Sequence, residues 1–185
     1  LAKKLFEFHQ IRSPDFAIIA PGHVEGNPKL NSFPVIVKPI ATDASIGINA
    51  KSVVHSVQEM MERVFSIHEE FHCPALVEQY IDGRELYVGV TGNERLDALP
   101  PWEMSFAQMP ENRWKIATER VKWSTQYQKK HGIMTDQAKL DASTVERMQK
   151  IAKRAYRALD LSGYARIDVR MDEEGKIYVL EANPN

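Results

Sequence analysis

The sequence predicts a mixed fold of helices and sheet, and three observations carry that reading. Residues 164–171 and 176–183 alternate in character around Asp172, Glu173, Glu174 and Gly175, the pattern of a β-hairpin. Residues 75–81 and 84–91 form a second such pair around Asp82 and Gly83. Two other stretches place apolar residues at helical spacing: Val57, Met60, Met61 and Val64, then Val145, Met148, Ile151, Ala152, Ala155 and Leu159.

In chain order, residues 1–9 read as the end of a helix, 16–20 as a short strand, and 21–28 as a turn-rich connector. Residues 33–38 form a strand stopping at Pro39, and 41–47 a loop. An amphipathic helix is expected over 53–71, ending before Pro74 because the residue preceding proline disfavours helical geometry. After the 75–91 pair, strands are expected around 98–104 and 114–118, with a poorly defined segment through Tyr127. Ser143 and Glu146 have capping-box spacing, and Gly163 terminates the helix that follows. The turn at Asp82 and Gly83 divides the chain into 1–82 and 83–185, a smaller and a larger subdomain.

The 185 residues, 43% hydrophobic and 26% charged, suffice for one or two domains with a real core. A formal charge of −1 carries no polyelectrolyte signal, so neither nucleic acid nor an anionic membrane is expected as a partner. The single cysteine, Cys73, excludes an intramolecular disulfide framework and makes a reducing, cytoplasmic setting the default. No run reaches membrane-spanning length and no signal peptide is visible. The chain starts at Leu1 and stops at Asn185, directly after its most informative strand, and reads as a piece of a longer protein.

The last hairpin poses an electrostatic problem. A turn centred on Glu174 and Gly175 pairs Asp168 with Glu181 and Arg166 with Asn183, all on one face, while Ala165, Ile167, Val169, Met171, Tyr178, Leu180 and Ala182 make the other face apolar. Directly opposed carboxylates repel, so a positive group belongs between them. Two carboxylates and an amide are oxygen donors suited to a hard cation such as Mg²⁺. The competing account is an ion-pair network through Arg166, Arg170 or a lysine.

Other candidates are weaker singly. Lys38 ends an apolar strand before a loop with the hydroxyls of Thr42 and Ser45, a position from which an ammonium reaches phosphate; an ordinary solubilising lysine is the plainer reading. Glu78 and Glu85 bracket the Asp82 turn, with salt bridges to Arg84 or Arg95 as the alternative to a bound amine or ribose. Lys122 lies beside Trp123 and reads locally as a surface cation. His68, Glu69 and His72 match the H-E-x-x-H zinc pattern of metalloproteases, but Pro74 cuts short the helix that would present them.

Taken in order, Val37, Lys38 and Pro39, the Ser45 to Gly47 loop, residues 78–85 (EQYIDGRE), Lys122, Arg166 with Asp168, and Glu181 with Asn183 resemble the ATP-grasp superfamily, closest to its D-alanine–D-alanine ligase branch. The resemblance implies an α+β fold in which two subdomains grip ATP between them. It implies carboxylate activation by ATP to an acyl phosphate and attack by an amine, with small-molecule acid and amine substrates such as amino acids or peptides. By the same resemblance Lys38 contacts the α and β phosphates, Ser45 lies in the covering loop, Glu78, Gln79 and Ile81 line the adenine, and Glu85 takes the ribose hydroxyls. Lys122 reaches the terminal phosphate, Asp168, Glu181 and Asn183 hold magnesium or manganese, and Arg166 steadies the acyl phosphate. The chain departs from the branch in a glycine-poor covering loop carrying Asp43, and in Gln79 where a lysine is common. Nucleotide binding without ligation is therefore the alternative function, with a zinc hydrolase through His68 and His72 a third.

Overall fold

The computed structural model describes residues 1–22, 30, 32–42, 45–111 and 113–184. Its elements are α1 (Ala2–Phe8), β1 (Phe16–Ile19), β2 (Val35–Pro39), a 3₁₀ turn (Ala50–Ser52), β3 (Val53–Val54), α2 (Val57–Phe71), β4 (Ala75–Gln79), β5 (Arg84–Gly92), β6 (Leu96–Ala98), β7 (Trp102–Phe106), α3 (Glu119–Trp123), α4 (Thr125–Lys130), β8 (Ile133–Gln137), α5 (Ala142–Ala158), β9 (Tyr164–Met171) and β10 (Ile177–Pro184). Much of the expected connector, and Asp43 and Ala44 of the expected loop, lie outside the described residues. Among the described residues no helix is long and apolar enough to cross a membrane.

The chain forms two compact units that are discontinuous in sequence, unlike the continuous halves expected at residues 82 and 83. A small-sheet unit comprises Asp15–Tyr80 and Phe106–Ile133; a large-sheet unit comprises Leu1–Pro14, Ile81–Ser105 and Met134–Asn185. The crossing after Tyr80 lies close to the expected break. The remaining exchanges follow from long-range packing: β10 Val179 N–H donates to the Arg12 carbonyl at 2.9 Å, which ties the N-terminal segment to the large sheet.

In the small-sheet unit the strands run in the order β1-β4-β2-β3. Alternate residues Val35 and Val37 of β2 and Ala75 and Val77 of β4 are buried with Val64 and Ile67 of α2, the period-two and period-3.6 stripes meeting in one core. Cys73 joins that core as a small buried residue. The helix expected over 53–71 begins only at Val57, because Val53 and Val54 pair with β2 and Ser56 accepts from Glu59 N–H at 3.2 Å as the N-cap. The expected strand around 114–118 is absent as such. Trp114 and Ile116 instead pack on Tyr80 and Val53, with Trp114 edge-on to Tyr80 at 4.9 Å. The undefined segment beyond it is two short helices.

The large sheet runs β10-β9-β5-β7-β8, with β6 also on β5. The strand expected over 98–104 is split in two, with Pro100 and Pro101 in the gap between β6 and β7. Helix α5 covers the core face through Met148, Ala152, Ala155 and Tyr156, which pack on Leu86, Val88, Val90, Ala165, Ile167 and Val169. Its N-cap is Asp141, which accepts from Thr144 N–H at 2.9 Å, so in place of the expected Ser143 capping box a single N-cap two residues earlier starts the helix. The helix stops at Ala158, ahead of the expected Gly163.

Candidate functional site

The hairpin of β9 and β10 brings together four of the residues singled out in the sequence, Arg166, Asp168, Glu181 and Asn183. Its turn encloses three residues: Asp172 N–H donates to the Lys176 carbonyl at 3.1 Å, and Gly175 takes φ +74°, the left-handed geometry such a loop requires. Near the turn Ile177 faces Met171 and Val179 faces Val169; a bulge then shifts the register, so that Glu181 faces Asp168 and Asn183 faces Arg166. The two expected pairs are present, but by a different count, a longer turn plus a bulge. The expected apolar residues Tyr178 and Leu180 are accordingly not the core face of β10. Ile177 and Val179 are buried there, and Ala182 resumes that face beyond the bulge.

The other face of the large sheet is polar, buried at Glu85, Tyr87, Asp168 and Arg170 and open to solvent at Arg166 and Glu181. Asp168 is buried and receives both Nε and Nη2 of Arg166, at 2.7 and 2.9 Å, a bidentate fork. Burial pushes the Asp168 carboxyl up to about 6, with Glu181 and Glu85 pushing the same way and Arg166 pulling against them. The competing ion-pair account thus describes the Arg166 contact, while Glu181 is exposed and Asn183 Nδ2 is buried with no hydrogen-bond partner. Two facing carboxylates and an amide oxygen fit a hard divalent cation by donor chemistry.

On β5, Glu85 and Tyr87 continue this face beside Arg170 and Asp168. Arg170 donates Nη2 to Glu85 Oε2 at 3.0 Å and Nη1 to the Ile81 carbonyl at 2.7 Å. Tyr87 donates its hydroxyl to Glu85 Oε1 at 2.9 Å. Glu85 is therefore not paired with Arg84, which forks onto Glu103 instead at 2.8 and 2.6 Å. Sequence reasoning passed over Tyr87, although its position two residues after Glu85 marked it as sharing that face.

In the small-sheet unit, the Lys38 ammonium lies 2.6 Å from the carboxylate of Glu78, so two candidates assigned separate roles form one ion pair. Ser45 has φ +64° and Gly47 φ +78°, and a Cβ at Gly47 would lie 2.7 Å from the Pro39 side chain. Arg63, buried on α2 and also missed in the sequence, donates Nη2 to the Gly47 carbonyl at 2.5 Å. Gln79 closes β4, and Lys122 sits on α3, whose Val121 and Lys122 carbonyls accept from Gln128 Nε2 at 2.8 and 3.2 Å. Ile81 belongs to the large-sheet unit, so the expected adenine-lining set divides between the units.

The zinc pattern is not assembled. His68 Nε2 lies 3.0 Å from the Ile19 carbonyl, and His72 leaves the helix as its left-handed C-cap at φ +51°. Among the described residues no group of three or more His, Cys, Asp or Glu side chains gathers as a metal site.

A family model described as D-ala D-ala ligase C-terminus matches residues 5–185. The chain belongs to that family. It is 32% identical over 183 residues to an uncharacterized protein of Sinorhizobium fredii, covering 99% of this chain and 51% of that protein. It is also 32% identical over 186 residues to a D-alanine–D-alanine ligase of Desulfotalea psychrophila, covering 99% and 54%. Among solved structures, the D-alanine–D-alanine ligase of Bacillus anthracis complexed with ATP superposes with a TM-score of 0.73 at 22% identity, covering 98% of this chain and 52% of the other. The VanG D-Ala:D-Ser ligase of Enterococcus faecalis gives 0.72 at 22% identity, covering 98% and 50%. The likeness to those structures establishes the ATP-grasp ligase fold, and this family member spans about half the length of the curated relatives it matches.

Proposed function

We propose that the chain is the nucleotide-binding and catalytic part of an ATP-dependent carboxylate–amine ligase that forms an amide or peptide bond through an acyl phosphate. The observation that carries this is the register placing Asp168 opposite Glu181 and Arg166 opposite Asn183 on one polar face. Facing carboxylates repel one another, and beside the Arg166 guanidinium that already holds Asp168 a divalent cation would offset the charge of Glu181. The relatives' names, with D-alanine on both sides of the bond or D-serine on one, point to amino-acid substrates. ATP use and one free cysteine agree with a cytoplasmic setting.

Each side chain has a role its chemistry allows. Lys38 neutralises nonbridging phosphate oxygens, exchanging Glu78 for phosphate, and Lys122 does the same at the terminal phosphate. Ser45 lies in the segment that covers them, while Glu78, Gln79 and Ile81 flank the base. Glu85, held by two donors, accepts from ribose hydroxyls. Asp168, Glu181 and Asn183 would hold magnesium or manganese, which when bound offsets the charge of the transferring phosphoryl group. Arg166 has a planar fork that holds a phosphate or carboxylate in two contacts and stabilises the negative charge that develops on the acyl carbon's oxygen when the amine attacks.

The test is thermal unfolding with ATP, with and without Mg²⁺. At a hundredfold excess over Kd, binding adds about 2.7 kcal/mol, or roughly 5–11 °C for a chain of this size. A shift that needs Mg²⁺ and is lost in the Asp168→Asn/Glu181→Gln variant is expected. No shift, or an equal shift in that variant, refutes the metal-site reading. A shift without ADP release across amino acids indicates a binding module alone.

A further inference from the structure

We propose that Tyr87 is a positioning residue, which orients Glu85 for the sugar of the nucleotide and seats the guanidinium of Arg166. The inference rests on the ligase reading above and extends it to a residue that reading leaves without a role. Tyr87 lies on β5 with Asp168 as its cross-strand neighbour and is buried, its 8% exposure leaving almost none of its surface to water. Its hydroxyl donates to Glu85 Oε1 at 2.9 Å, with Met104 Sδ 3.7 Å away on the neighbouring strand. Its ring faces the Arg166 guanidinium, whose central carbon lies 5.0 Å from the ring centroid, a cation–π distance. One side chain thus touches both the acid assigned to ribose and the cation assigned to acyl transfer.

The chemistry favours tyrosine here over its near neighbours. Glu85 has two carboxylate oxygens, each fixed by one donor: Oε1 by Tyr87 and Oε2 by Arg170 at 3.0 Å. Two anchors hold the carboxylate in a single rotamer and leave a second lone pair on each oxygen for sugar hydroxyls. Phenylalanine keeps the ring under Arg166 but frees one oxygen to rotate. A leucine loses both contacts. Burial and the Glu85 charge push the phenol pKa upward, so the hydroxyl keeps its proton and acts as the donor throughout the neutral range.

The experiment compares ATP with 2′,3′-dideoxy-ATP by isothermal titration in excess Mg²⁺, for the parent, Tyr87→Phe and Tyr87→Leu. The parent is expected to prefer ATP by about tenfold or more, the worth of hydrogen bonds to a charged group. In both variants that preference is expected to fall below about threefold, mainly through weaker ATP binding. Leucine, with no hydroxyl or ring, makes the same test should the phenylalanine variant fold poorly. Variants that keep the parent's preference, or that lose affinity equally for both nucleotides, overturn the role, since a merely structural tyrosine would change both affinities together. A parent that binds ATP without preference also overturns it. A parent that binds no ATP refutes the ligase reading itself, an outcome separable from the others.

Discussion

Arg170→Leu is expected to be among the most damaging single substitutions in the large-sheet unit, although Arg170 touches no proposed substrate. Arg170 and Glu85 side chains are 5% and 8% exposed and lie 3.0 Å apart, so water cannot replace either partner. Removing the arginine leaves a buried carboxylate with its Tyr87 donor but without its cation, and takes the 2.7 Å donor from the Ile81 carbonyl. Breaking one side of a buried pair costs about 3–5 kcal/mol. For a chain of this length that lowers Tm by roughly 6–20 °C. Replacing the whole pair with apolar residues is far less costly, since no charge is then stranded. Urea unfolding followed by circular dichroism should therefore give Arg170→Leu/Glu85→Leu a smaller loss than the sum of the single losses, by at least about 1.5 kcal/mol. A single-variant loss under about 1 kcal/mol, or additive losses, would show that the pair is solvated and that the buried part of the polar face is misread.

Two further outcomes are expected. Gly83 has φ +137°, and a Cβ there would lie 2.1 Å from the Met171 carbonyl oxygen, so Gly83→Ala should destabilise by more than about 1 kcal/mol in urea unfolding; an unchanged midpoint would refute that geometry. Asp168 has its folded pKa raised, by burial first, from 3.8 to about 6, so its stabilising contribution is fully present below pH 3.8 and lost as pH rises through about 6. In ligand-free protein without Mg²⁺, Asp168→Asn should lack that component of the stability–pH slope, and equal slopes for parent and variant would contradict the assigned shift.

The hairpin was legible because alternation and an acidic turn ending in glycine are local signals. What was not legible depended on partners distant in sequence. Lys38 with Glu78, Arg170 with Glu85 and Tyr87 with Arg166 are neighbours only once strands have paired, and the sequence offered each charge several equally plausible counter-charges. The helix starts at Val57 and Ala142 turned on competition: Val53 and Val54 found a strand to pair with, and Asp141 offered a cap two residues ahead of Ser143. Residues 114–118 have the aromatic and apolar content of a strand, but that content is satisfied by Tyr80 and Val53 without a ladder.

The bulge in β10 decides the most. A three-residue turn places Val179 against Val169, and without interruption that register would set Leu180 opposite Asp168 and send Glu181 toward the apolar core, where a carboxylate without partners is strongly disfavoured. Holding one register from the far end would equally misplace Ile177 and Val179, both buried. The extra residue lets the turn half of the strand obey the core and the far half obey the polar face. The expected pairs of Asp168 with Glu181 and Arg166 with Asn183 follow in sequence from a turn centred on Glu174 and Gly175. They hold because the added turn residue and the bulged residue compensate one another, and the demand that produces both is the same: apolar surface to one side, and Asp168, Glu181 and Asn183 to the other.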